Sequence, residues 1–237
     1  MILPELDGNR LRLVNWNIAK GRHFGWRGDL LSISRDADLI LIQEARYEDN
    51  IPGLVENSYC CTFAPGYTRQ NSSSGVLTMC RARTINPSLH QHREPWTRLP
   101  KAATVTEYAL SGHPHNLLVA NVHAINFTAG TRSFRRQLQA LYEEMRLHVG
   151  PIVFSGDFNT WRRRRLHIVD EMVRALHLSP IFFPVDHRRQ AFGYALDHIF
   201  VRGLLDTEAH VLPVYSSDHN PMAVELTATH LAQRQIA

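Results

Sequence analysis

The sequence predicts one mixed α/β domain spanning residues 1–237, and three observations predict it. Apolar runs of strand length recur along the chain and alternate with a few stretches of helical periodicity. No internal repeat, low-complexity tract or linker divides it, and its 237 residues suit one large domain or two small ones at roughly 150 residues each. A chain of this mass buries roughly 70% of its unfolded surface. With 44% hydrophobic and 20% charged residues, that excludes disorder and fibrous structure.

Taken in order, Leu11–Ile18 reads as a strand, with Asn15 and Asn17 on the face of Leu11 and Leu13. Asp38–Gln43, dense in Leu and Ile, suits a strand covered on both faces. Further strands are expected at Ser74–Cys80, Ala103–Leu110, Asn116–Ala124, Pro151–Ser155, Leu196–Val201 and Met222–Leu226. Phe134, Leu138, Leu141, Met145 and His148 recur at helical spacing, which turns Arg132, Arg135, Arg136 and Glu143 outward. A second helix is expected to start near Thr160 as N-cap, with Leu166, Val169, Met172, Val173 and Leu176 inward. Turn residues cluster at Pro65-Gly66, Asn71–Gly75, Gly112–Pro114 and Pro213–Ser217.

Charge and cysteine usage narrow the class. Lys and Arg total 26 against 22 Asp and Glu, a net charge of +4, and only Lys20 and Lys101 are lysines. The other 24 basic residues are arginine, which reads either as the codon bias of a GC-rich genome or as a footprint for polyanions. Cys60 and Cys61 are adjacent and Cys80 makes the count odd, so a reducing, cytoplasmic setting is expected rather than a disulfide framework. Met1–Leu3 before Pro4 is too short for a signal-peptide core. The apolar runs, such as Leu39–Ile42, are strand-sized, so no stable membrane association is expected. A soluble monomer is the expectation. His90/His92 and His113/His115 lack nearby cysteines and are expected in loops.

The chemistry-bearing residues fall at the ends of these strands. Asn17 follows LRLVNW, Glu44 follows DLILIQ, His123 follows NLLVANV, and Asp157 and Asn159 follow PIVFSG. Asp197 opens LDHIFV, and Asp218-His219 precedes NPMAVEL. Strand ends deliver side chains to one rim of a sheet, where loops form a cleft. Carboxylates and asparagines are hard oxygen ligands suited to Mg2+ or Mn2+. Histidines with acidic partners move protons near neutral pH. The serine-elbow and Walker motifs are absent and the cysteines lie apart from this set. Activated water attacking a phosphate ester uses everything present.

The blocks VNWNIAKG, LILIQEAR, VANVHAIN, VFSGDFNT, LDHIFVRG and SSDHNPM occur in an order that resembles the endonuclease/exonuclease/phosphatase superfamily, over most of the chain. The resemblance implies a DNase I-like four-layer α/β sandwich, with two mixed β-sheets packed face to face and helices outside. It implies Glu44 as the central metal ligand with Asn17 beside it, and Asp157 and Asn159 as the pair that holds the attacking water. It places His219 at the scissile phosphate, oriented by Asp197, with Asp218 helping to hold the metal or the histidine. His123 matches the histidine of DNase I-like and sphingomyelinase-like members. Two positions depart from the pattern. Ala19 stands where abasic-site endonucleases carry an acid, and NSSSGVLTM offers no glutamate to pair with His123.

Substrate recognition is expected from Trp161 and the run Arg162, Arg163, Arg164 and Arg165, which follows GDFNT directly. Cations at a helix start oppose the macrodipole, so a bound anion would compensate them; a solvated charged face is the alternative. Arg132, Arg135 and Arg136 form a second basic patch. Trp161, Phe192 and Tyr194 suit base stacking or the core. Three functions stay open at this point: a metal-dependent nuclease acting on DNA or RNA, a phosphatase or phospholipase C-type enzyme on a phosphorylated small molecule or lipid, and a catalytically silent binding module. Which histidine is the acid and which the base stays open too.

Overall fold

The computed structural model describes residues 5–55, 58–69 and 72–229. Two six-stranded sheets form the centre. The first runs in spatial order Leu204–Val211, Met222–Ala228, Leu11–Asn17, Leu39–Arg46, Ser72–Cys80 and Cys60–Arg69. The second runs Ser179–Pro180, Asp197–Arg202, Ile152–Asp157, Leu117–His123, Pro100–Tyr108 and Ile85–Arg93. Both mix parallel and antiparallel pairs.

Strand period sorts each residue into its layer. Leu11, Leu13, Leu39 and Leu41 of the first sheet meet Leu117, Val119, Val153 and Val201 of the second in one core between the sheets. The alternate residues face outward. Val14, Trp16, Ile40 and Ile42 pack on Trp26 and Leu30 of helix Trp26–Ser34. Leu118, Ala120, Ile152 and Phe154 pack on helices Arg132–Met145 and Arg163–Ala175. The result is the four-layer α/β sandwich with helices outside that the resemblance implies. Toward the functional end the inter-sheet layer turns polar. Gln43 Nε2 donates to Asn15 Oδ1 (2.9 Å) and Asn121 Oδ1 (2.7 Å), and Thr78 and Thr104 share a 2.7 Å hydroxyl contact. These bonds tie the sheets together at a fixed offset, because each buried partner would be left unsatisfied if the sheets slid.

Several expectations need correction. The helix after the GDFNT block begins at Arg163, and the Thr160 hydroxyl donates to the Ala195 carbonyl (2.5 Å) instead of capping it. Val169, Met172, Val173 and Leu176 are buried as expected, joined on the same face by Arg165 and Ile168, while Leu166 is only half-buried. Pro65-Gly66 is no turn but a bulge inside strand Cys60–Arg69, and Ser72–Gly75 is already strand, while Asn71 lies outside the described residues. His90 and His92 sit in strand Ile85–Arg93, not a loop. Besides several elements of two to four residues, four longer ones had no clear sequence signal: strands Cys60–Arg69, Ile85–Arg93 and Leu204–Val211, and helix Trp26–Ser34. Those strands lie at sheet edges, where polar residues on both faces blur the alternation. Among the described residues no helix is long and apolar enough to cross a membrane.

Candidate active site

Register builds the site. In the second sheet Asp157 pairs with His123 on one side and with Asp197 on the other, so three candidate site residues stand abreast at one rim. Gly156 makes this row possible: a Cβ there would lie 1.9 Å from the Val122 carbonyl oxygen, and its φ is +146°. In the first sheet Asn17 ends its strand beside Gln43. The register then slips between Gln43 and Ala45. Glu44 is the extra residue of that bulge, held at φ +55°, and the bulge aims it at the rim instead of into a core. Asn159 likewise has φ +52° and Lys20 φ +59°. Left-handed backbone at non-glycine residues costs on the order of 1–3 kcal/mol each and tends to gather at functional sites.

The two sheets meet in a hydrogen-bonded cluster. Asn17 Nδ2 donates to Asp157 Oδ2 (3.0 Å), and Asp157 Oδ1 accepts the Asn159 amide (2.9 Å). Asn159 Nδ2 donates to the Ala124 carbonyl (3.0 Å). His219 comes from a loop of the first sheet, where Trp16 Nε1 binds its carbonyl (2.8 Å) and its own amide donates to Ser217 Oγ (3.2 Å). Its Nδ1 reaches across to Asp197 Oδ2 at 2.7 Å, and both side chains are buried. Burial alone disfavours the imidazolium, but the Asp197 carboxylate outweighs it, with help from Asp157 and Asp218, and lifts His219 to about 10. Burial and the neighbouring Asp197 push Asp157 above its ordinary value against the pull of His219 and Lys101.

On the other flank, His123 Nε2 lies 3.5 Å from Asp157 Oδ2 and 3.8 Å from Glu44 Oε1. Its unexpected neighbour is Lys101, whose Nζ approaches the same nitrogen to 2.6 Å. Burial first, then the Lys101 ammonium, holds His123 well below its ordinary value and therefore neutral. Lys20 Nζ is 3.9 Å from Glu44 Oε2. The missing glutamate partner of His123 is thus replaced by a cation. Sequence reasoning passed over Lys101, although its being one of two lysines among 26 basic residues was the available signal.

Of the expected residues, Asn17, Glu44, His123, Asp157, Asn159, Asp197 and His219 come together. Asp218 does not: its side chain faces solvent, and it reaches His219 only as a weak long-range charge. Arg165 departs furthest from expectation. It is 2% exposed, and its guanidinium donates to the carbonyls of Ile125, Asn126 and Asn159, so it clamps the loops behind His123 and Asp157 and presents no charge to a ligand. Arg162, Arg163 and Arg164 are exposed, and the Arg162 guanidinium lies 4.2 Å over the Trp161 ring. Phe192, 85% exposed at the tip of a hairpin, stands 6.2 Å from Trp161.

The donor set suits a hard divalent ion. Among the described residues Glu44 accepts no hydrogen bond, and its oxygens face only ammonium and imidazole groups at 3.8–3.9 Å. Asp197 Oδ1 is buried with no partner, and ligand atoms of Asp157, Asp197 and His219 lie within 4.8 Å of one another. Because His219 Nδ1 is already bound to Asp197, that trio is the poorer cage and Glu44 the freer ligand. Asn17 Oδ1 accepts the Ala19 amide (3.1 Å) and keeps one lone pair.

Residues 14–219 match the model of the Endonuclease/Exonuclease/phosphatase family. The chain belongs to that family. A UPF0294 protein of Vibrio parahaemolyticus is 39% identical over 93% of this chain and 79% of its own length. Among solved structures, the human nocturnin catalytic domain has a TM-score of 0.72 at 18% identity, covering 96% of this chain and 97% of that one. A Bacteroides thetaiotaomicron mannosyl-6-phosphatase has 0.69 at 17%, covering 92% and 99%. At these identities the two structures share the family's phosphoesterase fold with this chain.

Proposed function

We propose that this family member is a divalent-metal-dependent phosphoesterase that hydrolyses phosphodiesters of nucleic acid with an activated water. The observation that carries the reading is the buried Asp197–His219 pair at 2.7 Å facing Asp157 and Asn159, since a binding module has no use for a paired, charged imidazole there. Asp157 holds the attacking water and takes its proton, because its carboxylate is oriented by Asn17 and Asn159 and its proton affinity is raised. His219, charged at neutral pH and bound to Asp197 through Nδ1, offers Nε2–H to a phosphoryl oxygen and neutralises it. Mg2+ or Mn2+, held by Glu44 with Asn17 nearby, would act as Lewis acid on a non-bridging oxygen and on the leaving oxygen.

The nucleic-acid reading draws support from the cluster of exposed Arg162, half-buried Trp161 and exposed Phe192 beside Asn159. Aromatic faces with interleaved arginine bind successive bases without reading sequence. A phosphatase or phospholipase activity is the second reading, favoured by how small the pocket at Glu44 is. The test is a parallel assay with Mg2+ or Mn2+ on plasmid DNA, single-stranded DNA, RNA, sphingomyelin and sugar phosphates. Cleavage of nucleic acid, abolished by EDTA and by Asp157→Ala or His219→Ala, is expected. Turnover of a lipid or sugar phosphate alone would overturn the nuclease reading.

A further inference from the structure

A composition that uses arginine at 24 of 26 basic positions keeps lysine at only two, Lys20 and Lys101. The fold brings both to one pocket. Lys101 enters from the second sheet, on strand Pro100–Tyr108, and Lys20 from the turn that follows strand Leu11–Asn17 of the first. The pocket also takes in Glu44, His123, Gly66 and Ser74, and its volume is about 40 Å³. That is room for a few water-sized groups, the scale of a phosphoryl group. Lys20 sits in a run of three left-handed residues, Ala19 at φ +50°, Lys20 at +59° and Gly21 at +61°. Two of these are non-glycine residues that resist this backbone, so the turn places Lys20 against local preference.

Lysine and arginine differ in what they can do in so small a space. An ammonium is a compact charge with three rotatable donors, whereas a guanidinium is a planar fork that needs a flat, wide seat. Lys101 uses one donor on His123 Nε2 at 2.6 Å and keeps two. We propose that Lys20 and Lys101 form a phosphoryl-oxygen subsite beside Glu44, and that the pocket requires an ammonium at both positions. The proposal rests on the phosphoesterase reading and deepens it, by assigning the substrate's charge to two side chains from different sheets. His123, with Nε2 occupied, positions Lys101.

Calorimetric titration of the full chain in Mg2+ with inorganic phosphate and with dimethyl phosphate tests this, alongside kcat and KM on bis(p-nitrophenyl) phosphate. The variants are Lys101→Arg, Lys101→Met, Lys20→Arg and Lys20→Gln, with thermal melting to confirm folding. Lys20 is partly exposed, so its variants carry the test if those of Lys101 fail to fold. Each substitution, arginine included, is expected to weaken phosphate-ligand binding about tenfold or more, while Mn2+ affinity read by electron paramagnetic resonance does not fall. A preference for inorganic phosphate would assign the subsite to terminal phosphates, a preference for dimethyl phosphate to internal diesters, and either upholds it. Arginine variants that bind phosphate like the wild type, or variants that lose Mn2+ instead, would overturn it. If phosphate binding depends on the lysines but no ester is cleaved, the subsite stands and the hydrolase reading falls. Full turnover in every lysine variant would mean the reverse.

Discussion

His198 and His219 occupy similar settings and reach opposite charge states. Both rings are enclosed at the same end of the second sheet, and both lie close in space or sequence to Asp197. His219 shares a hydrogen with that carboxylate and is lifted to about 10. His198 follows Asp197 in the chain, but strand alternation turns it to the opposite face. There it stacks on Phe200 (5.5 Å between centroids) and meets the edge of Phe158. Burial first, and then the Arg188 guanidinium, pulls it down to about 3. His198 stays low although its Nε2 lies 3.1 Å from the Ala195 carbonyl, so what reverses the outcome of enclosure at His219 is the charge of a well-placed carboxylate. The strand period therefore turns Asp197 toward His219 and its chain neighbour His198 toward the opposite, packed face.

Asp197→Asn breaks the contrast and should have the largest effect. His219 would lose its charge partner, and kcat/KM should fall by about 100- to 10,000-fold, with the alkaline limb of the rate profile moving to lower pH. A raised folded-state value means that the His219–Asp197 pair contributes stability fully present below the ordinary 6.5 and lost as pH rises through about 10. The Asn variant should therefore lose that decline, which denaturant melts from pH 6 to 11 will read.

An enclosed and an open cation in the arginine run extend the comparison. Arg165→Ala should destabilise the fold by about 1–3 kcal/mol or more, because the Ile125 and Asn126 carbonyls lose buried donors. Arg162→Ala should leave the melting midpoint nearly unchanged and lower the salt dependence of nucleic-acid binding by about one phosphate contact. Equal destabilisation by both would contradict the burial difference between them.

His198→Gln sharpens the contrast with the smallest effect. Activity should stay near that of the wild type, because the His198 ring faces Phe158 and Phe200 and touches none of the reacting groups. A depressed folded-state value means stability present above 6.5 and lost as pH falls toward about 3. The variant's acid-side decline in melting temperature should be shallower than that of the wild type.

Much of the sandwich was legible because buried strands carry strong patterns. Leu39–Ile42 and Leu117–Val122 are covered on both faces, and unbroken apolar runs are what two-sided burial produces. Ile85–Arg93, at an edge with alternating half-exposed residues, leaves no comparable trace. The rim residues Glu44, His123 and Asp157 were legible from their position after such runs, and His219 from its position ahead of one. Arg165 was not. Its place four residues before Val169 puts it on the inward face of the helix, but an arginine within a run of four reads as part of a solvated face. Lys101 escaped notice because its partner His123 lies on an adjacent antiparallel strand, and pairing across strands cannot be read from local spacing.

The second sheet is built from an unbroken stretch, residues 85–202, but the first takes strands from both sides of that stretch, residues 11–80 and 204–228. Met222–Ala228 lodges between Leu204–Val211 and Leu11–Asn17, and His219 arrives just ahead of it. During synthesis, then, a growing chain would hold Asp157, Asn159, Asp197 and both lysines well before it owns the imidazole that completes them. A chain that ends short of residue 219 would carry the other residues of the cluster and lack the imidazole that Asp197 binds, so the loop ahead of Met222–Ala228 is what completes the site.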